Sequence, residues 1–244
     1  MAWFSGYSFS QRSRSQQAQD GHKGLALHLK INKKRVLRVM KLFGIKPYRR
    51  YTKKPFMYKP KDVVFPNLLM IQRPTKQGQI YASDFTYIKF QGKWVYVATI
   101  LDIYTREIVG VSILLTHSTQ LVLNALGSAI LHRAPPKIIH SDQGSEYTSK
   151  NYSSFVQNLG IQQSMSKPGC PWENGYQKSF YKGFKLDLGD PKRFETLGEL
   201  VAEIYATINY HKRKRIHTAL GMTPLQFAKK NSIDYAVSSL EKVS

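Results

Sequence analysis

The sequence predicts an α/β fold: a mixed sheet with helices on its faces, preceded by a small helical unit. Three observations carry that expectation. From Gln79 onward, three runs rich in β-branched and aromatic residues succeed one another with only short turns between them. Beyond them, segments with helical spacing alternate with two short apolar runs. Ahead of them, two short amphipathic stretches flank a tight break. At 244 residues and 42% hydrophobic, with 15 Tyr and 12 Phe, the chain has apolar material for one sizeable core and a small accessory unit.

Residues 1–20 are rich in Ser, Gln and Arg without a usable period and are expected to form a disordered tail. In 21–46, Leu25 and Leu29, then Val36, Val39, Met40 and Phe43, fall at helical spacings, with "INKK" as the break and Asn32 as cap of the second helix. That second helix carries Lys33, Lys34, Arg35, Arg38 and Lys41, which fits a helix-turn-helix-like DNA-binding unit. Residues 47–76 then read as a basic linker, where Pro interrupts regular structure and Lys and Arg alternate with Tyr and Phe. The composition suits phosphates and stacking, and equally a solvated connector.

Residues 77–232 form the expected core. Runs 79–90, 94–104 and 106–116 make a three-stranded antiparallel meander. A helix follows over 118–133 with Ser118 as its cap, then a short buried strand over 135–142 that ends in Asp142. Residues 149–160 are a helix closed by Gly160, and 161–166 another strand. Helices over 173–185 and 196–215 come next, and 216–230 closes the core, leaving 233–244 as a tail. The order βββαβαβαα describes a mixed sheet with helices on its faces.

Composition narrows the partner. Thirty-seven Lys and Arg against 15 Asp and Glu give a formal charge of +22, which repels itself unless a polyanion is bound, and nucleic acid is the leading candidate. No run approaches the roughly 18 to 20 apolar residues of a membrane span, and the first residues lack the apolar stretch of a signal peptide. A cytoplasmic, nucleoid-associated protein is expected. One cysteine, Cys170, excludes an internal disulfide and a cysteine-based zinc site.

The stretch "ENGYQKSFYKGFK", 173–185, concentrates the chemistry. At about 100° per residue, Asn174, Lys178, Lys182 and Lys185 share one face, and Tyr176, Phe180, Tyr181, Phe184 and Leu188 occupy the apolar half. The basic face is either solvated or turned toward a ligand. Asp84 in the first strand and Asp142 beyond the fourth converge if the sheet sets those strands side by side, and paired carboxylates of that kind suit Mg²⁺ or Mn²⁺. Asp102, before "IYTRE", reads as an edge charge or turn former.

"SDFTYI", "LDIYTREIVG", "HSDQGSEYTS", "SMSKPGCPWENGYQKSFYKGFK" and "YHKRKRIHTALGMTPLQF" together resemble the catalytic subunit of bacterial insertion-sequence transposases with a retroviral-integrase-like core. The resemblance spans roughly residues 21 to 232. It implies a ribonuclease-H-like sheet of three antiparallel strands plus two parallel ones, and DNA strand cleavage and transfer by two Asp and one Glu with Mg²⁺ or Mn²⁺. Asp84 and Asp142 match the first two acids and the metal ligands. The family places the Glu after 35 further residues, and that count lands on Lys178.

The same resemblance implies that Lys182 and Lys185 hold the DNA end, and that Arg213, Arg215 and His217 of the final basic motif contact DNA. It also implies action on element ends and target DNA, a homo-oligomer on DNA, and a companion DNA-binding subunit. Two departures stand out: His211 follows Tyr210 where the family commonly has Asn, and residues 1–20 match nothing in the family. Glu173 lies on another face of the helix, and Glu146 is a looser substitute for the missing acid. Three readings stay open: an active transposase, a catalytically impaired descendant that still binds DNA, and a domesticated DNA-binding regulator. The second is the one expected.

Overall fold

A computed structural model describes residues 21–45, 65–131, 133–167, 169–170 and 172–241, with side chains to residue 232. The expected tail of 1–20, the first part of the expected linker (47–64) and the side chains of the expected tail 233–244 lie outside the described residues. The chain divides into two compact units, one holding the N-terminal helices together with Ile216–Met222, the other the remaining elements.

In the smaller unit, α1 (His22–Leu29) and α2 (Lys33–Leu42) are joined by a turn at Lys30, which adopts φ 53°. Asn32 caps α2 as expected, its Oδ1 accepting from the Lys34 amide at 2.9 Å. Ala26, Val36 and Met40 form the buried cluster with Leu25 packed against it. Leu29, Val39 and Phe43, grouped with the apolar face by spacing, are 58%, 40% and 70% exposed. Two helices of 8 and 10 residues are too short to bury every apolar position on a shared seam.

The larger unit is built on a five-stranded sheet: β1 (Ile80–Phe90), β2 (Lys93–Asp102), β3 (Ile108–Leu114), β4 (Ile138–Ser141) and β5 (Gln162–Met165), in the order β3-β2-β1-β4-β5. β1 with β2 and β2 with β3 pair antiparallel, whereas β1 with β4 and β4 with β5 pair parallel. This is the expected mixed sheet. Gln91 and Gly92, both at positive φ (46° and 78°), form the two-residue turn between β1 and β2, a geometry that matches strand twist.

Successive β1 side chains point to opposite faces. Ile80, Ala82, Ile88 and Phe90 pack with Phe180, Tyr181, Phe184 and Leu188 of α6 (Gly175–Leu188) and Leu200, Ile204 and Ile208 of α7 (Leu197–Arg213). Tyr81 joins Ala98 and Ile100 under Leu121, Val122, Ala125 and Leu126 of α3 (Thr119–Ile130). Helices therefore cover both faces. Ser118 holds the cap position of α3 but makes no side-chain cap bond. Gly110 lets α3 approach β3: a Cβ there would lie 2.3 Å from the Ala125 carbonyl oxygen.

α4 (Ser145–Thr148) and α5 (Lys150–Asn158) lie beside the parallel strands, and α8 (Pro224–Glu241) packs against α7, with Phe227 against Tyr104. Gly160, at φ 68°, closes α5 as expected. β2 ends at Asp102, and the following residues turn where the sequence suggested continued strand. Asp102 is the turn former: its carboxylate accepts from the amides of Tyr104 (2.8 Å), Thr105 (3.1 Å) and Gly78 (2.7 Å) while fully buried. Among the described residues no helix is long and apolar enough to cross a membrane.

Candidate active site

The parallel register of β1 and β4 sets Ala82 opposite His140. Two residues further on stand Asp84, within β1, and Asp142, just past the end of β4, so the sheet itself sets the two carboxylates at neighbouring positions. Asp84 is half-buried and its pKa rises to about 7, first because burial strips water from the carboxylate and next because Asp142 repels it. The Phe85 amide, which donates to Asp84 Oδ1 at 2.8 Å, and the charges of Lys178 and Lys185 act against that rise. Asp142 still meets solvent, yet surrounding protein raises its pKa too, with Glu146 adding to the rise and Lys178 opposing it.

Lys178 thus acts on both aspartates from the exposed side of α6. Lys182 is exposed one turn on, and Lys185 lays its Nζ 5.2 Å from the Tyr87 ring centre. Asn174 does not share this face. It precedes the first residue of α6 and is 2% exposed, so helical angles do not apply to it. Tyr176, assigned to the apolar half, is 40% exposed beneath the Arg106 guanidinium, 4.0 Å from its ring.

What holds α6 in this register is a polar network that the sequence reading passed over. Gln177, fully buried, donates from Nε2 to the carbonyls of Ala82 (2.6 Å) and Thr99 (3.0 Å), and its Oε1 accepts from Thr99 Oγ1 at 3.1 Å. The Tyr181 hydroxyl is shared between Thr99 Oγ1 (2.9 Å) and the carbonyls of Asp84 (2.7 Å) and Val97 (3.2 Å). The available signal was a glutamine on the apolar arc of an amphipathic helix. Buried Asp187 binds α6 to the chain end of α7 through Arg215 and, at 3.4 Å, His211 Nε2.

The other candidates are spread out. Lys33, Lys34, Arg35 and Arg38 are all exposed on α2. Arg213 is exposed and donates to Asn209 at 2.8 Å. Arg215, by contrast, is held by Asp187. His217 lies in the smaller unit, bridged to Met222. Glu173 sits before α6 and accepts from the Lys167 amide (2.6 Å) and Asn67 Nδ2 (2.8 Å), away from the metal role. Glu146 is buried beside Asp142, with Oε1 engaged by His117 Nε2 (2.6 Å) and Ser145 Oγ (3.0 Å).

The donor set can be compared with the metal chemistry expected. Two neighbouring carboxylates suit one hard cation. A two-ion centre needs a third carboxylate facing both, and the side chain acting on both here is an ammonium, which cannot be a ligand. Among the described residues no group of three or more His, Cys, Asp and Glu gathers as a metal site. The residues present do not fit the two-ion centre.

Sheet order, one aspartate within the central strand beside another just past its parallel neighbour, and a helix packed beside them define the integrase-core class of nucleic-acid-processing folds. Two Integrase core domain models match the chain, over residues 74–171 and 159–224. The transposase for insertion sequence element IS904 of Lactococcus lactis is 37% identical over 209 residues, 82% of this chain and 82% of that protein. A 31 kDa protein of insertion element IS600 from Shigella sonnei is 34% identical, covering 68% of this chain and 63% of its own length. Transposase InsF for IS3A of Escherichia coli is 29% identical, covering 63% and 55%. The chain belongs to the insertion-sequence transposases with an integrase core.

Solved structures agree on the fold. The HTLV-2 integrase catalytic core domain in complex with magnesium, in its trimeric form, superposes with a TM-score of 0.50 at 19% identity, covering 64% of this chain and 99% of that one. The simian T-cell lymphotropic virus intasome in complex with PP2A regulatory subunit B56 gamma gives 0.54 at 15% identity, covering 90% and 74%. At these identities the likeness is one of architecture, and it is the ribonuclease-H-like sheet expected.

Proposed function

We propose that this chain is a transposase-family protein that binds element-end DNA while its metal-dependent strand cleavage and transfer are impaired. The observation that carries the reading is the action of the Lys178 charge on Asp84 and Asp142 together. An ammonium there opposes the rise in both carboxyl pKa values without cancelling it, and it offers no coordination position for a metal ion, a water or a phosphate oxygen. Lys182 and Lys185, further along the same helix, remain suited to phosphate, and α2 supplies a second exposed basic face. Residues 21–46 would serve as the helix-turn-helix-like DNA-binding unit, 47–76 as the basic linker and 77–232 as the core. DNA is the expected partner, with a homo-oligomer assembled on it and a companion subunit that recognises the ends.

The test uses the full chain, with the companion subunit added, on a plasmid bearing the element's two ends. The expected result is end binding that weakens steeply with salt and no nicking in Mg²⁺ or Mn²⁺. Nicking at the rate of an intact relative, abolished by Asp84→Asn, would refute the impairment. Tight binding at one chromosomal site with no preference for the ends would instead favour a domesticated regulator.

A further inference from the structure

We propose that the outer face of the β1–β2 hairpin, beside the candidate active site, binds unpaired nucleotides of a DNA strand by stacking them on Tyr87 and Trp94. The inference rests on the reading that DNA is the partner, and adds where and in what form part of it is held.

Tyr87 and Trp94 are 54% and 43% exposed, although aromatic side chains of this size on a sheet usually find cover. They lie edge to face, ring centres 5.0 Å apart at 86°. The pair is diagonal across the ladder, since Tyr87 stands opposite Tyr96 and Lys89 opposite Trp94. Lys89 Nζ is 5.8 Å from the Trp94 ring and Lys185 Nζ 5.2 Å from the Tyr87 ring. Lys93 opens β2 at the exposed tip, and no Asp or Glu occurs between Asp84 and Asp102. Two aromatic faces interleaved with Lys89 and Lys185, on strands that carry no carboxylate between Asp84 and Asp102, are the elements of a single-strand platform; exposed Glu195 is the nearby acid, its carbonyl held by Gln91 at the turn.

The platform is firmly placed. The two-residue turn at Gln91 and Gly92 fixes the hairpin, and Gln91 Nε2 donates to the Glu195 carbonyl at 2.8 Å. Tyr87 follows Asp84 by three residues on the same strand, about 10 Å at strand rise, and the odd spacing turns the two side chains to opposite faces of it. Lys185 joins the two places, reaching the Tyr87 ring from the helix that carries Lys178.

Chemistry selects the form of the ligand. In duplex DNA the base faces are occupied by their neighbours, so a duplex offers this surface only phosphates, which lysines alone would serve. An unpaired strand offers both phosphates and free base faces. Strands frayed or left overhanging next to a cleavage site have this character. The aromatic pair also steadies the hairpin whether or not anything binds, so the informative readout is selectivity between two DNA forms.

Fluorescence anisotropy with full-length protein would compare a blunt duplex with the same duplex carrying a single-stranded thymidine extension of about ten nucleotides. The extension should tighten wild-type binding by about fivefold or more. Trp94→Ala and Tyr87→Ala should lose that gain, so that both probes bind alike, while Trp94→Phe keeps most of it. Circular dichroism confirms folding, and Lys89→Gln, which leaves both rings in place, should reduce the gain in part. A wild type that binds duplex without preferring the extension overturns the inference and leaves the proposed function standing. Binding of neither probe overturns both. Self-association abolished by Trp94→Ala, with no preference between probes, would assign the face to a second copy of the chain and also overturn it.

Discussion

Lys178→Glu is the perturbation with the widest reach. The substitution removes one positive charge and adds one negative charge on the side chain that acts on Asp84 and Asp142. A unit charge pair about 4 Å apart at an effective dielectric near 20 is worth roughly 4 kcal/mol. Solvent at this half-open site reduces that to about 1 to 2 kcal/mol per unit of charge. Two units then strengthen Mn²⁺ binding by about 2 to 4 kcal/mol, roughly 30- to 1,000-fold in Kd. Without metal, Asp84 should titrate above its present value of about 7, because a neighbouring cation has become a third like charge. Calorimetry with Mn²⁺ reads the affinity, and plasmid nicking in the presence of the companion subunit reads the chemistry. Lys178→Gln removes the positive charge without adding a carboxylate, so it should show about half of the binding gain and no nicking. If the Glu and Gln variants fold, bind DNA and show indistinguishable Mn²⁺ affinity, position 178 is not the missing ligand.

Three further outcomes test the framework around the site. Gln177→Ala removes three buried hydrogen bonds and should destabilise the protein by about 2 to 4 kcal/mol in urea unfolding; a loss below about 0.5 kcal/mol would mean that α6 is held by apolar packing alone. Gly110→Ala forces a Cβ to 2.3 Å from the Ala125 carbonyl oxygen and 2.7 Å from the Ala129 Cβ, so α3 must move, at a cost of about 1 to 3 kcal/mol; an unchanged Tm would contradict the close approach. Fully buried His140, whose pKa burial lowers to about 4, should contribute an acid-sensitive term. The unfolded chain takes up this proton below about pH 6.5 and the folded chain only near 4, so stability falls as pH drops between them, by about 3 kcal/mol in all. Raised Asp84 has the opposite sign, and the measurement is therefore the difference between wild type and His140→Gln; parallel pH profiles would refute it.

The strands were readable because β-branched and aromatic runs with short turns have few alternatives, and the paired aspartates because they end or occupy two such runs. Their adjacency depends on strand order, a property of distant segments, and only the family resemblance supplied it beforehand. The helix carrying Lys178 shows where local reading fails. Angles counted from Lys178 at about 100° per residue place Asn174 beside the lysines, but the helix begins at Gly175, and Asn174, at φ −104° and ψ 36°, is turned inward. Gln177 was passed over because polar residues are weighed by their cost in a core. That cost disappears when the carbonyls of two neighbouring strands stand ready to receive the amide. Arg215 looked like one basic residue among several, and only the fold reveals Asp187 as its partner.

The exposure of Lys178 separates two kinds of selection. A buried acid replaced by lysine would unfold its domain and disappear with it; at the solvent edge of α6 the exchange leaves packing untouched. Glutamate and lysine codons differ by one base at their first position, so a single transition links the two residues in either direction. Quality control that senses misfolded chains has nothing to detect here. On the proposed reading, a gene of this kind passes between cleaving and non-cleaving forms by one nucleotide, with neither form marked by its abundance in the cell.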